Sequence, residues 1–563
     1  MVDVTVDKLL AASPAFWAHK SKIQLPDGLF SFTGREYLKE SMNEDVPLSA
    51  DMKGTQGGAS SVQMLKCLHA MITGRYPKGV LYLFPNADEM GDFSKCRFNP
   101  IINDNPDTIG RFVHDTDTVG LKRVNSSYLF MRGARLSQRL SLTEKASPKL
   151  SGIPVDKVVY DEWDFMDPGV REKAYGRMGD SEFKHEAFLG NPSIPDFGID
   201  LIWQQTDQRY WQIRCSKCNA YTCLELDFPD CIQFDSEGKG VRVCIKCGAE
   251  IDRTKGEWVA KYPQRSKEAV GRRWSQLNSA TVDPGTIVRA WEHPPDGNIA
   301  DVYRFRLGQP YIESENRLTV QQVYACCSSE GMYPSDRGPC CMGVDVGGTL
   351  HVVVGKRTKT GTPHIVHVAE YKEFTDLPEV MRRYNVQAVA IDLYPETRAV
   401  RQFQASAGTY ESISGVSVTC YIFGVEYLDK QVRGVVEDQQ ARVLKTSRTE
   451  SMDGVHAIIA DGKAVLPARS GKMEEYAKQM SNTAKVLQED ERGNRLYRYI
   501  RCGDGQDHYY HATNYCLMVL NHLPLHAEEP PSQYPEAPDK RFLGLEKRPQ
   551  RSGGALSGLR RGA

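Results

Sequence analysis

The 563-residue sequence lacks a long apolar run, a charge excess and an internal repeat. No segment approaches the roughly 18 apolar residues that a membrane-spanning helix needs. The first residues, MVDVTVDKLLAASPAFW, contain an acid at position 3 and no long apolar core, unlike a secretion signal. The formal net charge is −1, so a nucleic-acid partner would have to be met by local basic surface. These absences favour an intracellular protein.

What is present indicates several globular domains. The composition, 40% hydrophobic and 25% charged, is ordinary for a globular protein, and the length suffices for at least two full-sized cores. The 15 cysteines are many for an intracellular chain. Four of them have metal-binding spacing, and we expect the others to be reduced, buried and apolar in behaviour.

The first part of the chain alternates helical and strand patterns, which predicts an α/β domain over residues 1–204 with a parallel sheet. The predicted elements are a short helix near Glu36–Met42, a helix over Ser60–Thr73, and strands over Gly79–Phe84, Ser127–Met131 and Lys157–Tyr160. Residues 205–260, rich in Cys and Asp, predict a small metal-stapled insert. Residues 261–335 are interpreted as a helical connecting segment.

A second α/β domain is predicted over residues 336–525. Strands over Met342–Val346, His351–Arg357 and His364–Tyr371, joined by short turns, predict an antiparallel meander. The later predicted elements are helices over Leu377–Tyr384, Thr397–Ala405 and His511–Leu520 and strands over Val386–Leu393 and Val418–Phe423. Residues 526–563 predict a disordered basic tail, because seven basic residues from Lys540 onward face one acid, Glu546.

A glycine-rich segment before the helix predicted over Ser60–Thr73 is a candidate phosphate loop. Glycines let backbone N–H groups turn toward phosphate, and a helix N-terminus adds positive potential. The lysine of a standard Gly-Lys-Ser/Thr loop is replaced by Ala59, so Lys53 is the candidate phosphate-binding lysine and Ser60 the candidate magnesium ligand. A flexible turn is the alternative. The candidate nucleotide-binding residues are Lys53, Gly54, Thr55, Gln56, Gly57, Gly58, Ala59 and Ser60.

Two carboxylates end an apolar strand later in the chain. Asp161 can hold magnesium through water, and Glu162 can orient and deprotonate the attacking water. A solvated strand end is the alternative for either carboxylate alone. Together with the glycine-rich loop, the pair favours an ATP site.

Four cysteines form two Cys-x-x-Cys pairs, Cys215 with Cys218 and Cys244 with Cys247. This spacing is typical of a tetrahedral zinc site. We expect it to be structural, because the protein fills all four positions. Coincidental thiols are the alternative.

Three acids in the second domain suit two-metal chemistry. Asp345 and Asp392 end predicted neighbouring strands, and Asp507 precedes the closing helix. Three such carboxylates can hold two divalent ions about 4 Å apart that activate water and stabilise a leaving oxygen. Turn capping is the alternative for any one acid, and Asp504, Glu396 and His508 are alternative ligands.

Over about residues 30–522 the sequence resembles the large terminase subunits of tailed phages, in the subgroup that contains the phage lambda enzyme. Lys53–Ser60 resembles the subgroup's deviant phosphate loop, and Asp161-Glu162 its catalytic pair. The stretch Gly190-Asn191-Pro192-Ser193 resembles the family's coupling motif and adds Asn191 to the nucleotide site. Further similar segments are Asp207–Trp211, which leads into the cysteine-rich insert, and Ser275-Gln276-Leu277 beyond it. No second acid follows Asp345 directly, where many members carry one.

The resemblance implies an N-terminal P-loop ATPase, a zinc-knuckle insert and a C-terminal ribonuclease-H-like nuclease. It implies a motor that uses ATP and Mg²⁺ to drive double-stranded DNA through a portal into a procapsid, and a nuclease that uses Mg²⁺ or Mn²⁺ to cut concatemers. The expected partners are double-stranded DNA, a small terminase subunit, the portal and further copies in a ring. The expected location is the host cytoplasm and not the mature virion.

Two other functions remain open from the sequence. A DNA repair or recombination helicase-nuclease would carry a second motor domain, where this sequence indicates a nuclease. A zinc-dependent DNA-binding assembly protein with inactive sites would not hydrolyse ATP.

Overall fold

The computed structural model describes residues 6–134, 152–167, 169–413, 415–428, 433–489, 495–503 and 505–523. The predicted basic tail and Asp504 lie outside these ranges. Within them, no helix combines the length and the apolar character that crossing a membrane requires.

Most strands before residue 340 form a large sheet with helices on both faces, while β1 with β2 and β12 with β13 form separate two-stranded sheets. The described α-helices are α1 (Val6–Ala12), α2 (Pro14–Lys20), α3 (Leu38–Asn43), α4 (Ala59–Ile72), α5 (Ala87–Phe93), α6 (Asn99–Asn103), α7 (Val170–Tyr175), α8 (Gly198–Gln204), α9 (Pro284–Glu292), α10 (Ile299–Asp301) and α11 (Val320–Ala325). The described strands are β1 (Gln24–Leu25), β2 (Gly28–Leu29), β3 (Leu48–Lys53), β4 (Val80–Phe84), β5 (Val113–Thr118), β6 (Leu121–Val124), β7 (Ser127–Gly133), β8 (Lys157–Asp161), β9 (His185–Gly190), β10 (Arg209–Arg214), β11 (Tyr221–Thr222), β12 (Ile232–Phe234), β13 (Gly240–Arg242), β14 (Gly256–Ala260) and β15 (Ala269–Trp274).

The strand order of the large sheet is β11-β10-β15-β3-β9-β8-β4-β7-β6-β5, with β14 also paired to β10. The run from β10 to β7 is parallel, and antiparallel strands border it. Strands β4, β8 and β9 are buried along their whole length, which explains their nearly continuous apolar sequence. Helix α4 packs on one face, and α7 and α8 pack on the other. The predicted parallel α/β sheet is confirmed.

The sheet reaches further along the chain than the sequence indicated. Strand β15 lies in the segment interpreted as helical and connecting, yet it pairs in parallel with β3, next to the glycine-rich loop. The helical interpretation is therefore wrong for residues 269–274. Their sequence, AVGRRW, contains two arginines, which are unusual in a buried strand. Arg272 can be buried here because it forms ion pairs with Glu44 and Asp51. The domain boundaries remain a prediction.

The elements from residue 340 onward form a second sheet. The described α-helices are α12 (Leu377–Tyr384), α13 (Thr397–Ser406), α14 (Arg448–Ala460), α15 (Gly471–Ser481) and α16 (His508–Val519). The described strands are β16 (Cys340–Val346), β17 (Leu350–Arg357), β18 (Pro363–Tyr371), β19 (Val386–Asp392), β20 (Thr409–Glu411), β21 (Ser417–Thr419), β22 (Tyr421–Leu428), β23 (Val435–Asp438), β24 (Val443–Ser447), β25 (Thr483–Glu489) and β26 (Arg495–Arg501).

The order of the second sheet is β18-β17-β16-β19-β22-β24-β23. Strands β16 to β18 form the predicted antiparallel meander, and β19 pairs with β16 in parallel. The strand predicted over Val418–Phe423 is wrong in its extent: β21 pairs with β20 in a separate hairpin, while β22 joins the sheet. The closing helix begins at His508, one turn before the predicted start.

Alternation along the strands gives the second sheet two faces. Met342 and Val344 belong to one apolar cluster, whereas Cys341 packs in another with Cys516 of α16. Helix α16 lies close against the second face, since a Cβ atom added to Gly343 would lie 2.0 Å from the Ala512 carbonyl oxygen. Asp345, two residues after Gly343, therefore points to the face that α16 covers.

Candidate functional site

The glycine-rich loop joins β3 to α4 and wraps the start of the helix. Lys53 is the last residue of β3, and Gly58 precedes α4 with a φ of 84°, a left-handed conformation suited to glycine. A Cβ atom added to Gly57 would lie 2.5 Å from Trp274 Nε1, so the loop needs glycine for close packing too. Ala59, at the position of the standard lysine, is buried in the core.

Lys53 and the two carboxylates meet at the carboxyl ends of β3 and β8. The Lys53 Nζ atom lies 2.9 Å from Glu162 Oε1, and the side chains are 7% and 32% exposed. Asp161 accepts hydrogen bonds from the hydroxyls of Ser60, at 3.2 Å, and Tyr82, at 2.8 Å. Burial, with the nearby charge of Glu162, raises the pKa of Asp161. Lys53, Ser60, Asp161 and Glu162 of the predicted nucleotide site therefore form one cluster.

Asn191 contacts both Lys53 and Glu162. It follows β9, donates from its side-chain amide to the Lys53 carbonyl oxygen at 2.7 Å, and approaches Glu162 Oε2 with its backbone N–H at 3.5 Å. Glu162 itself has φ 58° and ψ 53°. Such a left-handed non-glycine residue costs about 1–3 kcal/mol and is found mainly where function fixes the side chain.

Asp164, which was not singled out from the sequence, holds the segment that follows Asn191. Its carboxylate accepts hydrogen bonds from the Ser193 backbone and hydroxyl, at 2.8 and 2.6 Å, and from the Ile199 N–H at 2.6 Å. Burial raises its pKa to about 6. The position of Asp164 two residues after Glu162 was visible in the sequence, but its partners are distant along the chain.

The start of the glycine-rich loop is hydrogen-bonded to residues that follow the second cysteine pair in the sequence. The Thr55 N–H donates to the Phe305 carbonyl oxygen at 2.7 Å, and the Gln276 side-chain amide donates to Thr55 Oγ1 at 2.8 Å. The buried Glu225 accepts from the Ser275 hydroxyl and from the Asn278 amide, both at 2.6 Å. Thr55 is thus held by protein contacts, whereas the loop from Gln56 to Ser60 leads directly into the helix.

The four spaced cysteines converge in the structure. The Sγ atoms of Cys215 and Cys247 are 3.7 Å apart, those of Cys218 and Cys244 are 3.6 Å apart, and all four lie within 4.8 Å of one another. These separations are too long for disulfides. Thiolates bound at about 2.3 Å to one tetrahedral zinc ion lie about 3.8 Å apart, so the cluster fits that ion.

Both cysteine pairs sit in turns of the same form. The Cys215 N–H donates to the Ala220 carbonyl oxygen and the Cys244 N–H to that of Ala249, each at 2.8 Å. A left-handed residue follows each pair, Asn219 with φ 59° and Gly248 with φ 68°. Although burial opposes it, backbone N–H groups of Lys246 and Cys247 lower the pKa of Cys244 to about 6, which favours the thiolate.

Two of the three predicted acids of the second domain lie side by side at one end of its sheet, and among the described residues Asp345, Asp392 and Asp507 do not together bring their carboxylate oxygens within 4.8 Å of one another. Val344 pairs with Ile391, so Asp345 and Asp392 lie side by side one residue further on. Asp507 is the residue just before α16, and its Oδ2 lies 3.6 Å from His511 Nε2. Burial raises the pKa of Asp392 to about 6, with the charge of Asp345 adding to the effect. Glu396, an alternative ligand, precedes α13.

Histidines complete this end of the sheet. His508 Nδ1 lies 2.8 Å from Asp345 Oδ2, and the His508 ring stacks on His351 with centroids 4.5 Å apart. Sequence reasoning named His508 only as an alternative and missed His351. The signal was present: three residues separate β16 from β17, which makes Asp345 and His351 cross-strand partners.

The family model for the ATPase domain of the phage terminase large subunit gpA matches residues 35–262. This range contains Lys53, Ser60, Asp161 and Glu162 and the four converging cysteines, and this part of the chain is similar to that ATPase domain.

No curated protein matches the sequence significantly. Among solved structures, the large terminase of bacteriophage HK97 is 12% identical, with 84% of this chain and 91% of that chain covered and a TM-score of 0.44. The large terminase of a thermophilic bacteriophage is 10% identical, with coverages of 86% and 96% and a TM-score of 0.27. The large terminase nuclease of the thermophilic phage G20c, solved with magnesium, is 13% identical, with coverages of 36% and 96% and a TM-score of 0.24.

Proposed function

We propose that this chain is an ATP-driven motor that packages viral double-stranded DNA into procapsids and cuts concatemeric DNA with a metal-dependent endonuclease. The observation that carries the proposal is the cluster that Lys53, Ser60, Asp161 and Glu162 form where β3 and β8 end. Its groups are those that ATP hydrolysis requires: a cation for the phosphates, oxygen ligands for Mg²⁺ and a base for water.

In the proposed ATP site, Lys53 contacts the β- and γ-phosphates and the loop from Gln56 to Ala59 offers backbone N–H groups at the start of α4. Ser60 and Asp161 hold Mg²⁺, which neutralises phosphate charge when bound. Asn191 links the end of β9 to the end of β3 through its bond to the Lys53 carbonyl oxygen.

Glu162 performs the proton transfer. Its ion-pair partner in the structure is Lys53. Phosphates that attract Lys53 free the Glu162 carboxylate, which then orients a water molecule and accepts its proton. The exchange of partners links nucleotide binding to activation of the base.

The four cysteines hold one structural Zn²⁺. Their separations near 3.7 Å and the matching turns of the two pairs support this assignment. The protein fills every ligand position and leaves none for a substrate, so the ion stabilises the small strands β11 to β13 rather than reacting.

The second domain is proposed to be a ribonuclease-H-like nuclease. Asp345, Asp392 and Asp507 hold divalent Mg²⁺ or Mn²⁺, which activates water and stabilises the leaving oxygen when bound. The two side-by-side strand ends and the helix start that carry these acids support the assignment. Neighbouring carboxylates repel one another, so the site should depend on cations.

The remaining parts of the proposal concern partners and place. The motor would act in the cytoplasm of the infected host, as a ring of copies at the portal, with a small terminase subunit that selects the DNA, and would be absent from the mature virion. The net charge of −1 requires that local basic surface meet the DNA.

The test is ATP turnover by the purified full chain with and without linear duplex DNA. The proposal expects hydrolysis that DNA stimulates. Absence of turnover under both conditions would overturn the motor and favour a DNA-binding assembly protein.

A further inference from the structure

The end of the second sheet carries polar groups beyond the three acids of the proposed nuclease. Glu370 pairs with His351 across β18 and β17, and His351 pairs with Asp345 across β17 and β16. Cross-strand partners point to the same face. A row of chemically active side chains therefore crosses three neighbouring strands.

Helix α16 brings a further imidazole to this row. His508, the first residue of the helix, approaches Asp345 with Nδ1 and stacks on His351 with an interplanar angle of 19°. One ligand atom each from Asp345, His351 and His508 lies within 4.8 Å of the others. Three residues distant in sequence thus present one oxygen and two nitrogen donors to a common space.

We propose that Asp345, His351 and His508 form a mixed nitrogen–oxygen site for a divalent transition-metal ion, in preference to Mg²⁺. For its use in cutting, the site rests on the proposed nuclease; the binding of the metal does not. The all-carboxylate set of Asp345, Asp392 and Asp507 would suit Mg²⁺ equally well, so the histidines change which ion is preferred.

The separations fit one ion with a small adjustment. Ligands bound at about 2.1 Å on adjacent corners of an octahedron lie about 3.0 Å apart, and those on opposite corners about 4.2 Å apart. The 2.8 Å between His508 Nδ1 and Asp345 Oδ2 agrees with the first value. The other separations between ligand atoms in this group are at most 4.8 Å. Any separation longer than the 4.2 Å between opposite corners must shorten when the ion binds, so the two rings move closer together.

The chemistry of the donors decides the class of ion. Imidazole nitrogen binds Mn²⁺, Co²⁺ or Zn²⁺ more strongly than it binds Mg²⁺, which demands oxygen and retains its water. Metal-bound histidines are usually oriented by a carboxylate near the other ring nitrogen. Here His351 Nε2 lies 3.7 Å from Glu370 Oε1, and Lys472 Nζ lies 2.9 Å from the same carboxylate oxygen.

The experiment measures Mn²⁺ binding to the full-length, zinc-loaded protein by electron paramagnetic resonance, because Mn²⁺ does not compete for the thiolates. Electron spin-echo modulation then reports directly whether ¹⁴N is bound to the ion. The variants are His351→Gln and His508→Gln, and His364→Gln serves as control because it lies at the opposite end of β18, against Tyr333. Unchanged zinc content and ATP turnover establish that each variant is folded.

We expect ¹⁴N modulation in the wild type and in His364→Gln. Each of the other two variants should weaken it and lower Mn²⁺ affinity at least about tenfold, the lower bound for losing even an outer-shell partner. Binding of Mn²⁺ without ¹⁴N modulation, or with wild-type affinity in both variants, overturns the site even if the protein cuts DNA. If the ¹⁴N modulation changes with the variants as expected but the protein cuts no DNA, the metal site is supported and the nuclease function is refuted.

Discussion

Lys53, the proposed phosphate-binding residue, occupies an unusual place in the loop. A standard loop places its lysine at the start of the helix, where this chain has the buried Ala59. The end of β3 reaches the same pocket from the other side, and the largely buried ammonium of Lys53 has Glu162 as its ion-pair partner. A buried cation paired in this way can exchange that partner for a phosphate without a new desolvation cost.

Lys53→Ala should lower DNA-stimulated ATP turnover by about 10²–10³, the usual effect of removing one group that stabilises transition-state charge. The measurement is steady-state phosphate release. Lys78→Ala is the matched control, because Lys78 pairs with the fully exposed Asp180 in the same domain. Wild-type turnover in Lys53→Ala would show that the phosphates are held by another residue.

Glu162→Gln separates binding from chemistry. The amide keeps the size of the side chain but cannot accept the proton of water, so turnover should fall by about 10²–10⁴. Binding of a fluorescent ATP analogue should persist, because Lys53 loses a competing carboxylate. A variant that still hydrolyses ATP at the wild-type rate would remove Glu162 from the mechanism.

At the scale of elements, the cysteine segment is tied to the phosphate loop. Glu225 lies between the two cysteine pairs and holds Ser275 and Asn278, while the adjacent Gln276 holds Thr55 of the loop. The segment between the cysteine pairs is therefore linked through residues 275–278 to the glycine-rich loop. Unfolding of the cysteine segment should therefore lower ATP turnover at the proposed ATP site.

Cys244→Ser should lower zinc content from near one ion per chain and make residues 205–260 sensitive to protease, because so small a segment has little core of its own. ATP turnover should also fall through the Glu225 connection. Metal analysis, limited proteolysis and phosphate release measure the three effects. Cys96→Ser, at an exposed free cysteine, is the control, and a wild-type protein that is folded without metal would refute the assignment.

The elements that could be predicted are those whose pattern is local. The helix at Ala59–Ile72, the apolar strands β4 and β8 and the meander β16 to β18 follow from periodicity and turns. Strand β15 could not be predicted in the same way, since its buried Arg272 is neutralised by acids from distant parts of the chain. His351 was missed for a related reason, because its role depends on cross-strand register.

At the scale of the whole molecule, the coupling segment after Asn191 packs against the second domain. Ile194 forms a small buried cluster with Ala484 and Cys502 of the β25–β26 region, joined by Phe197. Arg317 spans the junction, donating to the carbonyl oxygens of Ser481, at 2.7 Å, and Pro195, at 3.3 Å. The chain from β26 leads to Asp507, so this junction joins the segment after Asn191 to the part of the second domain that precedes α16.

Arg317→Ala should weaken the effect of ATP on DNA cutting by about 0.5–2 kcal/mol, the range for residues along a coupled path. Turnover of ATP alone should remain close to that of the wild type. Cutting rates with and without ATP measure the effect. Arg382→Ala is the control, because Arg382 pairs locally with the exposed Glu379. If ATP changes the cutting rate of Arg317→Ala as much as that of the wild type, this junction does not couple ATP binding to cutting.

The sequence could indicate both sites but not this junction. Motifs such as Asp161-Glu162 are contiguous, whereas Arg317, Pro195 and Ser481 carry no shared pattern and meet only through the fold. Contacts between domains rest on side chains that look like ordinary surface residues in the sequence.

The most direct test of the central claim, a motor and a nuclease in separate parts of one chain, is nicking of supercoiled plasmid with Mg²⁺ or Mn²⁺, measured in parallel with ATP turnover. Asp345→Ala and Asp392→Ala should each abolish nicking and leave ATP turnover intact, because each removes a carboxylate that would hold the metal. Asp507→Ala should do the same, and Lys53→Ala should show the reverse pattern. If all three aspartate variants nick the plasmid at the wild-type rate, the acidic centre is not the nuclease and the account is contradicted.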